Sequence, residues 1–283
     1  MPTIPNALYL ADTPATPPRP YGLFDVAMGP LPFPVAEAVG GGLQYVPDTC
    51  NSDVFLYAMN CPPVSGSKTF STNELPVSGA PFAVITSYLC GTLGYSFEEA
   101  EQKVRTRMAL REQRAVERRV WQGQPAGGGN LGLIPGLFQS ATPLTAAGCV
   151  TEAIEMLEQT LADNGVVGGL IHARPGMSAH LSQGHLVRRE GRIQQTWLGT
   201  PVVYGQGYNG TGPAGQAVTT DVEYIYASGR IAIWADDVHV PPPTQTFDKV
   251  NNQMMLLAER VYAAAVECGV WSIAVTRNCT TAG

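Results

Sequence analysis

Ten prolines fall within the first 47 residues of this 283-residue chain: Pro2, Pro5, Pro14, Pro17, Pro18, Pro20, Pro30, Pro32, Pro34 and Pro47. Proline fixes φ and has no N–H to donate, so at this density neither a helix interior nor a central strand can run through the segment. Residues 1–47 are therefore expected to be an extended arm without a core of its own. Leu8, Tyr9, Leu10, Tyr21, Leu23, Phe24 and Phe33 suit it to lie as a strap on another surface. The whole chain holds 31 glycines and 23 prolines and is only 14% charged, against roughly 25% in an ordinary soluble domain. A 45% hydrophobic content excludes disorder throughout. The glycines lack a three-residue period, which excludes collagen, and no uncharged apolar run reaches the ~18 residues of a spanning helix.

The length allows one large domain or two small ones. A net charge of -6 argues against a general nucleic-acid binder, which needs a basic face. The opening MPTIPNALYL has neither a basic n-region nor a long apolar h-region, so synthesis in a cytoplasm without a signal peptide is expected. Cys50, Cys61, Cys90, Cys149, Cys268 and Cys279 form no CxxC pair and read as buried apolar thiols. Cys50 and Cys61 could meet across a hairpin, but a disulfide is not expected in a reducing compartment.

Beyond the arm, DVFLYAM (53–59) and KTFST (68–72) flank the turn-rich CPPVSGS, which predicts an extended hairpin loop centred near residue 65. PFAVITSYLC (81–90) is β-branched and aromatic, hence a strand. Ser96 and Glu99 then form a capping box. Phe97, Ala100, Val104, Met108, Ala115 and Val120 recur at helical spacing until Gly123 and Pro125. At ~1.5 Å per residue, a helix over about 96–122 is a rod of roughly 39 Å. It carries seven of the chain's 17 basic residues (Lys103, Arg105, Arg107, Arg111, Arg114, Arg118 and Arg119) beside five glutamates. Glu101 and Arg105 have the favourable i,i+4 order, so a solvated, salt-bridged face is expected. Further on, the pattern predicts a helix at 149–163 and strands at 166–173 and 196–205. It also predicts a hairpin at 223–240 turning at Ser228-Gly229, an amphipathic helix at 247–267 and a terminal strand at 270–275.

GQGYNG (205–210) matches the GxGxxG pattern of dinucleotide sites, but no helix follows it to supply an N-terminus for a pyrophosphate. It reads as a flexible loop. His172, His180, His185 and His239 have no metal-ligand spacing and read as surface or packing residues. GxSxG, P-loop and HExxH motifs are absent, so the residues offer no catalytic constellation, metal site or cofactor site. An arm, a projecting hairpin and a charged rod bury little within one subunit and make sense when neighbours cover them. The expected interface is Tyr9, Tyr21, Phe24 and Phe33 on the arm, Phe55, Tyr57, Lys68 and Phe70 on the loop, and Arg107, Arg111, Arg114 and Arg118 on the rod.

The order of these elements, with RAVERRVWQG (114–123), GLIPGL (132–137), TEAIEMLEQTL (151–161), GLIHARP (169–175), LGTPVV (198–203) and the segment 247–275, resembles the major capsid proteins of tailed bacteriophages. The resemblance implies an α+β, Hong Kong 97-like fold. Residues 1–47 would be an N-terminal arm, 48–80 an extended loop, 81–148 with 220–246 a peripheral domain around a spine helix, and 149–219 with 247–283 an axial domain. It implies a homo-oligomer of hexamers and pentamers in an icosahedral head, which meets packaged DNA only indirectly. A portal and separate scaffolding or decoration proteins would be the partners, with no cofactor and no membrane. Shell members of related architecture, an encapsulin-like compartment or a penton or minor shell protein, remain open, and an enzyme with an unrecognised site is the distant alternative. Many members begin with a cleaved scaffolding segment; with an arm at 1–47 instead, no internal scaffold is expected. Some members cross-link a loop lysine to a neighbour's asparagine with a glutamate as base. Lys68, Asn252 and Glu259 would match those positions, the last two sharing one face of the 247–267 helix, and they serve equally well as a loop charge and helix hydrogen-bonding residues.

Overall fold

In the computed structural model the described residues are 20–47, 76–91, 96–123, 136–219, 221–242, 247–248 and 253–277. In chain order they form β1 (Met28–Pro32), α1 (Ala36–Gly41), β2 (Leu43–Tyr45), β3 (Val77–Gly79), β4 (Pro81–Gly91), α2 (Phe97–Gln122), β5 (Thr142–Pro143), α3 (Val150–Asp163), β6 (Leu170–Ala173) and α4 (Met177–Gln183). There follow β7 (Val187–Glu190), β8 (Ile193–Thr196), β9 (Pro201–Tyr204), β10 (Val222–Ser228), β11 (Ile231–Ala235), β12 (Phe247–Asp248), β13 (Gln253–Val266) and β14 (Val270–Thr276). The fold is α+β, built on two principal sheets.

The first sheet runs β1-β11-β13-β12, with β4 on the other side of β13. Its centre is an eleven-pair antiparallel ribbon between β4 and β13, from Gln253 opposite Gly91 to Ala263 opposite Pro81. Helix α2 lies on one face of that ribbon and buries Val104, Met108, Val116 and Val120 against Leu256, Ala258, Tyr262 and Ala264. The expected capping box is present: Ser96 Oγ accepts from Glu99 N–H at 3.2 Å, and Ser96 N–H donates to Glu99 Oε2 at 2.8 Å. The second sheet has the order β5-β14-β10-β6-β9-β8-β7. Its outer face is covered by α3 and α4, which place Ile154, Leu157, Leu161, Met177 and Leu181 on Ile171, Val202, Ile225 and Ile273.

β10 belongs to both cores. Ile225 and Ala227 point into the α3–α4 core, whereas Tyr226 between them enters the α2 core, as the two-residue alternation of a strand dictates. Around Tyr226 stand Trp121, Phe138, Tyr208 and His172, with ring centroids 4.6 Å apart for Trp121–Tyr226 and 5.0 Å for Phe138–Tyr226. These rings fill the space between the end of α2 and the second sheet.

Four sequence expectations fail. Residues 253–266 are a strand, not a helix. Met254, Leu256, Ala258, Tyr262 and Ala264 are buried at two-residue spacing, a pattern that coexists with the helical one because 262–265 are apolar in both phases. Pairing with β4 and β11 overrides the helix propensity of Leu, Ala, Glu and Arg. Residues 223–240 are no hairpin, for β10 and β11 sit in different sheets. The chain crosses between sheets at Gly229, where a Cβ would lie 2.1 Å from Glu267 O. It crosses back at Cys268 and Gly269, whose φ values are 60° and 130°. The expected grouping of 247–283 with 149–219 therefore splits: β13 joins the sheet of β4, while β10, placed with the peripheral residues, joins the sheet of β6 and β9. Cys268 is also disulfide-bonded, contrary to the expectation of thiols throughout, and its partner lies outside the described residues. Cys90 is the expected buried thiol.

Candidate assembly interface

The arm residues Tyr21 and Phe24, expected at an interface, are half-buried and make contacts within their own chain. The Tyr21 carbonyl accepts from Tyr204 N–H at 2.8 Å, and the Arg189 guanidinium lies 5.6 Å from the Tyr21 ring centroid. Phe24 stacks on Tyr262, and Leu23 between them is fully buried. The strap expected of the arm thus exists over 20–27, but it closes on its own subunit. Phe33 is half-buried and lines a cavity of about 270 Å³ with Pro32, Val35 and Asp236. Tyr9, Phe55, Tyr57, Lys68 and Phe70 lie outside the described residues, as do Cys50 and Cys61.

The strap is held by one buried carboxylate. Glu117 on α2 accepts from Leu23 N–H at 3.0 Å, Gln113 Nε2 at 2.9 Å and Gly207 N–H at 3.0 Å, joining arm, helix and the β9–β10 connection. Burial raises its pKa above the ordinary carboxylate value, and the three donors act the other way. GQGYNG is therefore a packed joint and not a flexible loop. A Cβ on Gly207 would sit 2.4 Å from Arg114 O and Arg118 N, so only glycine lets this backbone meet α2. His172 is the packing histidine: fully buried, 3.1 Å from Tyr208 Oη and 2.8 Å from Ser228 Oγ, with its pKa pushed down to about 3 by burial.

The rod presents the expected charged face. Glu101 and Arg105 pair at 2.8 Å, Arg111 and Arg114 are exposed, and Arg118 is half-buried. Arg107 lies over the Tyr88 ring at 4.6 Å and donates to Ser87 O at 3.0 Å, so it leans on β4. Desolvation lowers the pKa of Arg119 to about 10. β2 and β3 pair antiparallel, from Leu43 opposite Gly79 to Tyr45 opposite Val77, and form the base from which 48–75 departs. Tyr45 Oη donates to Glu267 Oε1 at 2.9 Å, which ties that base to the crossing between the sheets. Burial and this carboxylate raise the Tyr45 pKa.

Of the cross-linking set, Lys68 and Asn252 lie outside the described residues. Glu259 is on β13, opposite Ile85 and bridged to the His239 backbone. Because 253–266 form a strand, the helical face expected to carry Glu259 is not present among the described residues.

Two apolar surfaces were not singled out from the sequence. On the ribbon face away from α2, Ile85, Leu89 and Met255 are exposed, with Leu89 opposite Met255. The signal was present in PFAVITSYLC, whose apolar residues occupy both faces of the strand. At the β8–β9 turn, Trp197 is 66% and Leu198 81% exposed, in a segment read as continuous strand. Among the described residues no three His, Cys, Asp or Glu side chains are grouped to hold a metal, and no helix is long and apolar enough to cross a membrane.

No protein-family model and no curated protein matches the sequence. Solved structures do match. A chain from the capsid of an empty GTA particle, computed with C5 symmetry, superposes with a TM-score of 0.58 at 11% identity, over 98% of this chain and 95% of that one. A chain from Mycobacterium phage Cain gives 0.57 at 12%, over 98% and 96% respectively. One from Microbacterium phage Oxtober96 gives 0.57 at 12%, over 96% of each. At such identity the likeness is one of fold: the chain shares the fold of the GTA capsid chain and of the two phage chains.

Proposed function

We propose that this chain is a major capsid protein, a structural subunit that self-assembles into the hexamers and pentamers of an icosahedral phage head enclosing double-stranded DNA. The observation that carries the reading is coverage: the likeness to a capsid chain spans 98% of this protein and 95% of that one. On a Hong Kong 97-like plan, α2 is the spine helix, and the sheet of β1, β4, β11, β12 and β13 forms the peripheral part. The seven-stranded sheet with α3 and α4 forms the axial part. The protein would reside in the virion after assembly in the host cytoplasm, with a portal and any scaffolding or decoration proteins as separate chains. With 23 acidic and 17 basic residues, it is expected to let packaged DNA slide.

Electron microscopy of the expressed full chain tests the proposal. Closed shells or five- and six-fold capsomers are expected. A monomer at every concentration, or an assembly without such symmetry, overturns it.

A further inference from the structure

The turn that carries Trp197 and Leu198 is unusually well braced for an exposed loop. Thr196 N–H donates to Thr200 O at 2.9 Å, and Gly199 N–H to Thr196 O at 3.1 Å. Gly199 adopts a φ of 94°, a conformation that favours glycine. From below, the Glu158 carboxylate of α3 accepts from both hydroxyls that bracket the turn, Thr196 Oγ1 and Thr200 Oγ1, the latter at 2.7 Å. The indole is fixed too: Trp197 Nε1 donates to His185 O at 2.7 Å, and the Arg188 guanidinium lies 5.9 Å from its ring. A fixed indole and, beside it on the braced turn, Leu198 thus stand in water. Such a tip gains nothing for the isolated fold, whereas a preorganised Trp loses little entropy on meeting a partner.

Beside the tip is an apolar groove of about 380 Å³, walled by Ile154, Ala162 and Leu186. Its two flanks differ in charge. On the α3 side Glu152, Glu155 and Asp163 are exposed, and residues 142–173 contain no Lys or Arg. Beyond the tip, the β7–β8 hairpin carries Arg188, Arg189 and Arg192 with the single acid Glu190; Arg192 pairs with Asp25 at 2.8 Å and Arg189 lies by the Tyr21 ring, while Arg188 stands beside the indole. β7 is the last strand in its sheet order. The acidic margin on one side of the tip and the basic margin on the other are thus complementary between subunits, as a head-to-tail contact requires.

We propose that a second copy of this chain docks here head to tail, its arginine-bearing β7–β8 margin against the Glu155 flank of α3, with the Trp197–Leu198 tip buried between the two. Head-to-tail contacts form a ring where the rotation between neighbours closes and a filament where it does not; the GTA capsid chain that shares the fold comes from a particle computed with C5 symmetry. The inference rests on the capsid reading and names the surface by which its rings form.

The test uses the full chain and three surface variants, Glu155→Arg, Arg188→Glu and Leu198→Asp, together with the charge-swapped double variant Glu155→Arg/Arg188→Glu. Assembled fraction is read by sedimentation and microscopy, and the melting temperature of the unassembled subunit reports folding. Each single variant is expected to lower the assembled fraction by about tenfold or more with the melting temperature retained, and the double variant to recover most of it. Trp197 emission, taken as the difference between wild type and Trp197→Phe, is expected to shift to the blue on assembly. Shells from wild type and from all three single variants alike overturn this contact and leave the capsid reading standing. Loss in the singles without recovery in the double overturns the pairing of the two flanks, and assembly that stops at dimers overturns the head-to-tail arrangement. A wild type that never assembles overturns the capsid reading and this contact together.

Discussion

His172 shows how a single buried side chain sets a pH limit. Its imidazole is neutral in the folded subunit, with a pKa of about 3, whereas an unfolded chain gives it about 6.5. The depressed value means that its stabilisation is complete above pH 6.5 and is lost as acid protonates the unfolded chain first, at about 1.4 kcal/mol per pH unit down towards 3. Glu117 has the opposite slope. Its raised value supplies stability that is present below the ordinary carboxylate pKa and lost as pH rises through the folded one. The two are separated by replacing one of them. Urea midpoints of unassembled wild type and His172→Gln between about pH 4 and pH 7 should show a decline on acidification that is steeper in wild type; equal slopes would exclude His172 as its source. Neither role was legible in the sequence. His172 could be read only as a packing histidine, and Glu117 vanished among five glutamates on a helix whose other face is solvated. What singles Glu117 out is the approach of Gly207 and Leu23, contacts from 90 and 94 residues away.

At the scale of elements, those fixed by nearby residues are legible in the sequence and those fixed by distant partners are not. Helix α2 announces itself through Ser96, Glu99 and Gly123, so its bounds follow from residues within it. β13 does not, because Met254–Val266 satisfies helical and strand periods together and only the facing edge of β4 decides. The register offers a direct check. Ala258 lies opposite Thr86, and directly opposed residues of an antiparallel pair bring their Cα atoms to about 4.5–5.5 Å, within reach of a disulfide. The Thr86→Cys/Ala258→Cys variant should oxidise in the folded subunit to a species of altered mobility on non-reducing gels. Failure to form it, with both thiols titrating as free, would refute this strand pairing. The crossing of Gly229 past Glu267 explains why a hairpin was expected there: Ser228-Gly229 has turn composition, but its tight approach serves passage between sheets.

At the scale of the molecule, the two cores share β10 and the aromatic group around Tyr226. They are expected to unfold together even though each has its own helices. Trp121 reports the first core and Trp271 the second. Urea transitions followed through each, in variants with the other three tryptophans replaced by phenylalanine, should coincide in midpoint and slope. Two separated transitions would mean that the sheets are independent. The strand, the rod and the helix-covered sheet were visible in the sequence, because each is bounded by proline, glycine or capping residues nearby. The division of strands between sheets was not, since it depends on where the chain crosses over.

The outer face of the β4–β13 ribbon has one further consequence. Ile85, Leu89 and Met255 stand exposed beside a β4 edge that pairs, among the described residues, only with β13. An open edge beside an apolar row is a surface to which any unfinished chain can stick. A newly made subunit therefore runs against a clock, and the dose at which it is produced decides whether it meets its proper neighbours before it meets the wrong ones.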